Sequence, residues 1–216
     1  MIKIRWGEVG YLEGCDLQLV ELQSVAEGEE DRVVFCTHPP VVTKGRGTKD
    51  FDIVGWQGDI VETSRGGRAT YHGPSQIVIY PIVHLNRETR SHKRDLHRYL
   101  RGLEEGLVDV LRSYDVDATT YSDKKKDAFG EELLMTGVWV GDRKIASLGV
   151  AVKQWVTYHG AALNFTYDPA AFQGMNPCGF PTKTMISLEE IIGKECLPTR
   201  EVFEDQLFLA LSKTLV

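Results

Sequence analysis

Four segments of this 216-residue chain carry residue types that could do chemistry. In Asn176-Pro177-Cys178-Gly179-Phe180 a cysteine stands between proline and glycine, which puts it on a loop where a thiol can reach a substrate. Its reactive form is the thiolate, and a neighbouring cation raises the thiolate fraction. In Lys144-Ile145-Ala146-Ser147-Leu148-Gly149 a lysine follows a Gly141-Asp142 turn signal, and the small residues after it leave room for a ligand. A second run of small residues beside a histidine is Tyr158-His159-Gly160-Ala161-Ala162-Leu163-Asn164. The densest segment is Arg65-Gly66-Gly67-Arg68-Ala69-Thr70-Tyr71-His72-Gly73-Pro74, where glycines allow close backbone approach and successive N–H groups can hold an anion. Each segment alone also has a plainer reading: a chance loop thiol, a surface lysine, a structural histidine, a Gly-rich hairpin with solvated arginines.

Other chemistries lack their residues. There is no H-E-x-x-H, and His92 and His97 are five apart, which spoils an i, i+4 metal pair. There is no G-x-x-x-x-G-K-[ST] phosphate loop and no G-x-S-x-G elbow. The cysteines Cys15, Cys36, Cys178 and Cys196 are scattered, so free thiols and a reducing cytoplasm are expected. Cys15 and Cys36, among apolar-periodic neighbours, read as inert. A net charge of -6 argues against a nucleic-acid partner. No apolar h-region follows the first basic residues, and no run approaches the ~18 apolar residues of a membrane span. An apolar content of 42% supports a core and excludes disorder.

Mixed helices and strands must position these residues. Residues 2–8, 32–36, 59–62 and 76–80 read as strands, the last β-branched and central in a sheet. Leu12, Cys15, Leu19 and Leu22 predict the inner face of a first helix. Leu96 to Tyr114 predicts the clearest helix, with Ser91 as N-cap. A strand meander is expected over 137–165, then a short helix from the Ser187-Leu188-Glu189-Glu190 capping box. A last helix starts near Glu201, burying Val202, Leu207 and Leu211. No repeat or linker divides the chain, so 1–216 is read as a single domain of mixed α and β.

Taken together the segments resemble the lipoyl(octanoyl) transferases of lipoic acid biosynthesis. The resemblance rests on Arg65 to Pro74, Gly137-Val138-Trp139-Val140, Lys144-Ile145-Ala146, His159 to Asn164 and Pro177-Cys178-Gly179, in family order. Thr37-His38-Pro39-Pro40, Lys44 and Ser75 depart from the family pattern and bear on the pocket wall. The resemblance implies an α+β fold shared with biotin and lipoate ligases and class II aminoacyl-tRNA synthetases: a large mixed sheet flanked by helices, with a smaller second sheet. It implies octanoyl transfer from octanoyl-acyl carrier protein, through a Cys178 thioester, to a lysine of lipoyl domains in 2-oxoacid dehydrogenase complexes and glycine cleavage H protein. Lys144 would handle protons in both half-reactions, without ATP or metal, in a cytoplasmic monomer that binds neither membrane nor nucleic acid. Ala146, Ser147, Leu148, Gly149, Gly160, Ala161 and Ala162 are expected along the acyl tunnel, with Arg65, Gly66, Gly67, Arg68, Ala69, Thr70, Tyr71 and His72 at its mouth. A large side chain at Gly149 is expected to shorten the accepted chain. Lys124-Lys125-Lys126 and the run from Arg87 to Arg94 are candidate docking patches for acidic protein partners. Two alternatives stay open: an ATP-dependent lipoate or biotin protein ligase, in which Arg65 to Arg68 form a phosphate loop, and a non-catalytic acyl-carrier-binding module. ATP dependence separates the first, and absence of an acyl-enzyme the second.

Overall fold

A computed structural model describes residues 1–121, 124–126, 130 and 132–215. The elements run β1 (Ile2–Glu8), α1 (Tyr11–Ala26), β2 (Arg32–Thr37), β3 (Val41–Lys44), β4 (Asp59–Glu62), β5 (Thr70–His72), β6 (Gln76–Ile82) and α2 (Leu96–Arg112). They continue β7 (Ala118–Thr119), β8 (Lys124–Lys126), β9 (Glu132–Leu134), β10 (Val138–Val140), β11 (Arg143–Lys153), β12 (Val156–Asn164), α3 (Leu188–Ile192) and α4 (Arg200–Thr214). The large sheet has the order β1-β2-β6-β12-β11-β10-β7 and is antiparallel apart from the β1–β2 pair. A small sheet, β4-β3-β5, lies beside it, and β8–β9 form a hairpin. This is the expected α+β arrangement.

Strand β6 shows why the layers form. Every residue in it is buried, with β2 on one side and β12 on the other. Its side chains alternate between faces. Ile77 and Ile79 join the core beneath α2 and α4, whereas Val78, Tyr80 and Ile82 join the core beneath α1.

Three predicted helix details differ. Helix α1 buries Tyr11, Gly14, Gln18, Leu22 and Val25, while Leu12 and Leu19 are 64% and 42% exposed. The stripe is turned because Gln18 Oε1 accepts the His159 N–H at 2.6 Å, a backbone donor at an irregular point of β12. Helix α2 is capped by Asp95, not Ser91, since Arg94 sits in the left-handed region at φ 57° and interrupts any earlier helical path. Helix α4 buries Phe203, Glu204, Leu207 and Leu211 and leaves Val202 48% exposed. Buried Glu204 is matched by Arg5 at 2.6 Å.

The β11–β12 turn, Gln154-Trp155, has both residues at positive φ without glycine or asparagine. That is the geometry of a type I′ hairpin turn. The Arg94 guanidinium lies 5.1 Å over the Trp155 ring, and the Leu85 N–H donates to Trp155 O at 2.7 Å. These contacts hold what the residue types disfavour. The run from Arg87 to Arg94 is thereby largely engaged: Arg87 and Arg90 pair with Asp31, and Lys93 with Glu88. Lys124 pairs with Glu132 across the β8–β9 hairpin, and Lys126 is exposed. The Lys125 side chain lies outside the described residues.

Gly160 marks the tightest strand approach. A Cβ there would lie 2.1 Å from the Ile79 carbonyl oxygen. Gly160→Ala is therefore expected to destabilise the protein by about 2–3 kcal/mol through overpacking. Thermal denaturation should show melting lowered by roughly 4–12 °C.

Candidate active site

Cys178 sits in a single 3-10 turn, Pro177–Gly179, at φ 56° and ψ 21°. A non-glycine residue in this region costs about 1–3 kcal/mol and persists only where its surroundings impose it. Here the Cys178 N–H donates to Ala69 O at 2.7 Å, and the Asn176 N–H donates to Asp52 O at 2.8 Å. Asn176 Nδ2 adds a bond to Phe51 O at 2.7 Å. The thiol is half-buried, with Sγ 3.6 Å from Ser147 Oγ. Burial pushes this thiol up, but the Lys144 charge, the Ser147 hydroxyl, Arg65 and the Thr70 hydroxyl together bring it below its ordinary value. The arrangement favours a thiolate.

Lys144 is 3% exposed on β11. Its Nζ lies 5.3 Å over the Trp139 ring and 5.8 Å over the Phe180 ring, so cation–π attraction holds the ammonium in a confined box. Gly137 lets the side chain pass, since a Cβ there would come within 2.5 Å of Lys144 Cε. Behind it the buried Glu104 accepts the Gly137 N–H at 2.9 Å and an Arg101 N–H at 2.8 Å. Burial raises Glu104 above the usual carboxylate range, against those hydrogen bonds and the Lys144 charge. The Lys144 carbonyl accepts the Ile186 N–H at 3.1 Å, which ties the chain after the cysteine loop to β11.

The two arginines of the glycine-rich segment are used internally. Arg65 is 5% exposed and donates to Arg68 O at 2.9 Å, Gly66 O at 3.1 Å, Thr43 O at 2.8 Å and Thr43 Oγ1 at 2.6 Å. Arg68 Nε reaches both carboxylate oxygens of Asp52 at 3.0 Å, and its guanidinium lies 4.8 Å over the Phe51 ring. Asp52 is fully buried and also accepts the Lys49 N–H at 2.9 Å.

A cavity of about 400 Å³ joins these parts. It falls in the range of small-ligand sites, about 300–1,000 Å³. Cys178, Lys144, Arg65, Gly66, Gly67, Arg68, Thr70, His72, Ser147, Leu148, Gly149, Gly160, Ala161 and Ala162 all line it. Ala69, Tyr71 and Ala146 do not. Strand alternation turns Tyr71 away from Thr70 and His72, into a cluster with Trp56 and Phe172. Ala69 acts through its carbonyl on Cys178, and Ala146 packs in the core beneath α2. The Gly149 Cα faces the arginine loop: a Cβ there would meet Gly66 O at 3.0 Å and Arg65 Cδ at 3.1 Å. A side chain at this position displaces that loop rather than simply filling a tunnel.

The cavity also takes in Tyr11, Tyr80, Leu96, Leu100, Thr136 and Phe180, none of which the sequence singled out as a site residue. Phe180 follows the cysteine directly, and Glu104 interrupts the apolar stripe of α2; those were the available signals. The others come from separate elements with no motif. Among the described residues no group of three His, Cys, Asp or Glu side chains could hold a metal ion, and no helix is long and apolar enough to cross a membrane.

Residues 11–212 match the family model of the lipoyl protein ligase A/B catalytic domain. An octanoyltransferase from Bdellovibrio bacteriovorus is 47% identical over 191 residues, which is 87% of each chain. The crystal structure of lipoate-protein ligase A bound with ATP superposes with a TM-score of 0.65 at 16% identity, over 99% of this chain and 85% of that one. A bi-partite lipoate protein ligase from Thermoplasma acidophilum, studied with its lipoyl domain, gives a TM-score of 0.63 at 15% identity, over 99% of this chain and 83% of that one. At these identities the two structures share the fold.

Three outcomes follow from the geometry. Alkylation of Cys178 by iodoacetamide should show a pH midpoint below the ~8.5 of a free thiol. In Lys144→Met the midpoint should rise above that value, because burial then acts with its main opponent removed. Asp52→Ala leaves Arg68 buried without its carboxylate and should cost about 3–5 kcal/mol in urea unfolding.

Proposed function

The chain belongs to the lipoyl protein ligase A/B catalytic domain family and works as an octanoyltransferase of protein lipoylation, and from that premise we propose that transfer runs through a thioester on Cys178 with Lys144 as the proton carrier. The observation that carries this reading is one cavity holding a thiol drawn toward thiolate by a buried ammonium. The proposed donor is octanoyl-acyl carrier protein, and the acceptors are lipoyl-domain lysines.

In the first half-reaction the Cys178 thiolate attacks the donor's thioester carbonyl. The new C–S bond forms, the carrier's C–S bond breaks, and Lys144 gives a proton to the departing carrier thiolate. One thioester replaces another, so no ATP is required. The Cys178 thiolate is now consumed, and Lys144 is left neutral beside the acyl group. In the second half-reaction a neutral acceptor amine attacks the Cys178 thioester and passes its proton to Lys144. Cys178 leaves as thiolate, and the starting pair is restored. The amide product makes this step downhill.

The internal use of Arg65 and Arg68 supports transfer over adenylation. Arg65 holds the loop's own carbonyls and Thr43 of β3, and Arg68 holds Asp52. The acyl chain gains from burial, at ~0.8 kcal/mol per methylene.

Intact-protein mass spectrometry after mixing with octanoyl-acyl carrier protein, without ATP, should show a gain of one octanoyl group. Cys178→Ala should show none, and Lys144→Ala should slow both half-reactions by roughly 100-fold or more, within the range of general acid–base catalysis. An adduct that appears only with ATP and free octanoate would instead assign a ligase.

A further inference from the structure

The cavity is not apolar throughout. Thr70, His72 and His159 line it and are 5%, 6% and 4% exposed. His72 Nδ1 and His159 Nδ1 are buried with no hydrogen-bond partner among the described residues. Their neighbours are occupied. His38 uses both ring nitrogens, on Val9 O at 2.7 Å and Tyr80 Oη at 2.8 Å. Tyr11 stacks on His72 at 5.5 Å between ring centres. Orphaned polar atoms in a buried site are normally satisfied by ordered water.

Their position follows from the strands. Ser147 Oγ lies beside Cys178 Sγ, and Ser147 pairs with Ala162 on β12. His159 stands three residues from Ala162, so about 10 Å along the strand at ~3.3 Å per residue. Thr70 acts on the Cys178 thiol, and His72 stands two residues beyond it on β5, about 7 Å further at the same rise. An extended octanoyl chain spans roughly 9 Å from carbonyl carbon to methyl, given C–C bonds of about 1.52 Å. A chain attached at Cys178 and laid along these strands therefore ends at the two imidazoles. Burial, then the Arg65 charge, holds His159 down to about 4, and burial, then His38, holds His72 well below its ordinary value. Both rings are neutral near pH 7; His159 Nε2 faces Ser64 Oγ at 3.4 Å, and the Nδ1 of each ring is left to donate or accept according to its tautomer.

We propose that His72 and His159, with Tyr11 and Tyr80, form a hydrated polar end wall that sets the length of acyl chain the enzyme accepts and that takes a terminal hydroxyl in place of ordered water. The proposal rests on the reading of Cys178 as the acyl-bearing residue. A chain two methylenes longer must displace the water and leave the imidazole nitrogens unpartnered. A chain ending in a hydroxyl meets groups that hydrogen-bond it, whereas a hydroxyl in mid-chain meets Gly149, Gly160 and Ala162, on the same face as Ser147.

The test uses the whole enzyme and carrier-bound octanoyl, decanoyl, 8-hydroxyoctanoyl and 4-hydroxyoctanoyl groups, with kcat/KM for Cys178 acylation as readout. In the unaltered enzyme, 8-hydroxyoctanoyl should react within a few-fold of octanoyl, and 4-hydroxyoctanoyl roughly tenfold or more slower. His72→Leu and His159→Leu should each raise the decanoyl-to-octanoyl ratio by roughly tenfold, the worth of two buried methylenes. Equal rejection of the two hydroxylated chains, or an unchanged decanoyl-to-octanoyl ratio in both variants, overturns the polar wall. Loss of the octanoyl adduct in the unaltered enzyme overturns the reading of Cys178 itself.

Discussion

The site depends on one buried ion pair. Asp52 is fully enclosed, and its carboxylate holds Arg68 while its backbone carbonyl holds Asn176. Arg68 precedes Ala69, whose carbonyl fixes the Cys178 N–H. Asn176 stands two residues before Cys178 on the other side. A single aspartate thus joins the arginine loop to the cysteine loop, and the left-handed conformation of Cys178 is imposed from both. Such a pair adds little net stability against an apolar replacement, because both charges lose their water. What it supplies is position.

A second constraint concerns the cation. A buried ammonium is costly unless it is paired, yet a lysine tied to a carboxylate could not shuttle protons freely. Trp139 and Phe180 hold the Lys144 charge with ring faces instead, and Glu104 stands one residue contact behind, bonded to Gly137 and Arg101. Among the described residues no carboxylate forms an ion pair with Lys144.

The fold is shared with lipoate-protein ligase A, which has been seen with ATP bound. The difference in chemistry need not alter the sheet. Here β11 and β12 supply a small-residue floor, and a glycine-rich loop closes over it with its arginines turned inward.

The sequence by itself determined the local elements and the candidate reactive groups. Strand β6, the Gly141-Asp142 turn, the Ser187 capping box and the cysteine between Pro177 and Gly179 were legible, because each reflects a preference of adjacent residues. The family motifs added an order of blocks that composition lacked. Only the tertiary structure decided which face of α1 turned inward, since Gln18 is buried by a hydrogen bond to His159 and not by its own polarity. It alone turned Tyr71 out of the cavity, committed Arg65 to Thr43 and Arg68 to Asp52, and brought Tyr11, His72, Tyr80 and His159 together in its wall. These outcomes rest on hydrogen bonds and packing between segments distant in the chain. Local residue preference carries no record of which distant partner will satisfy a buried polar group.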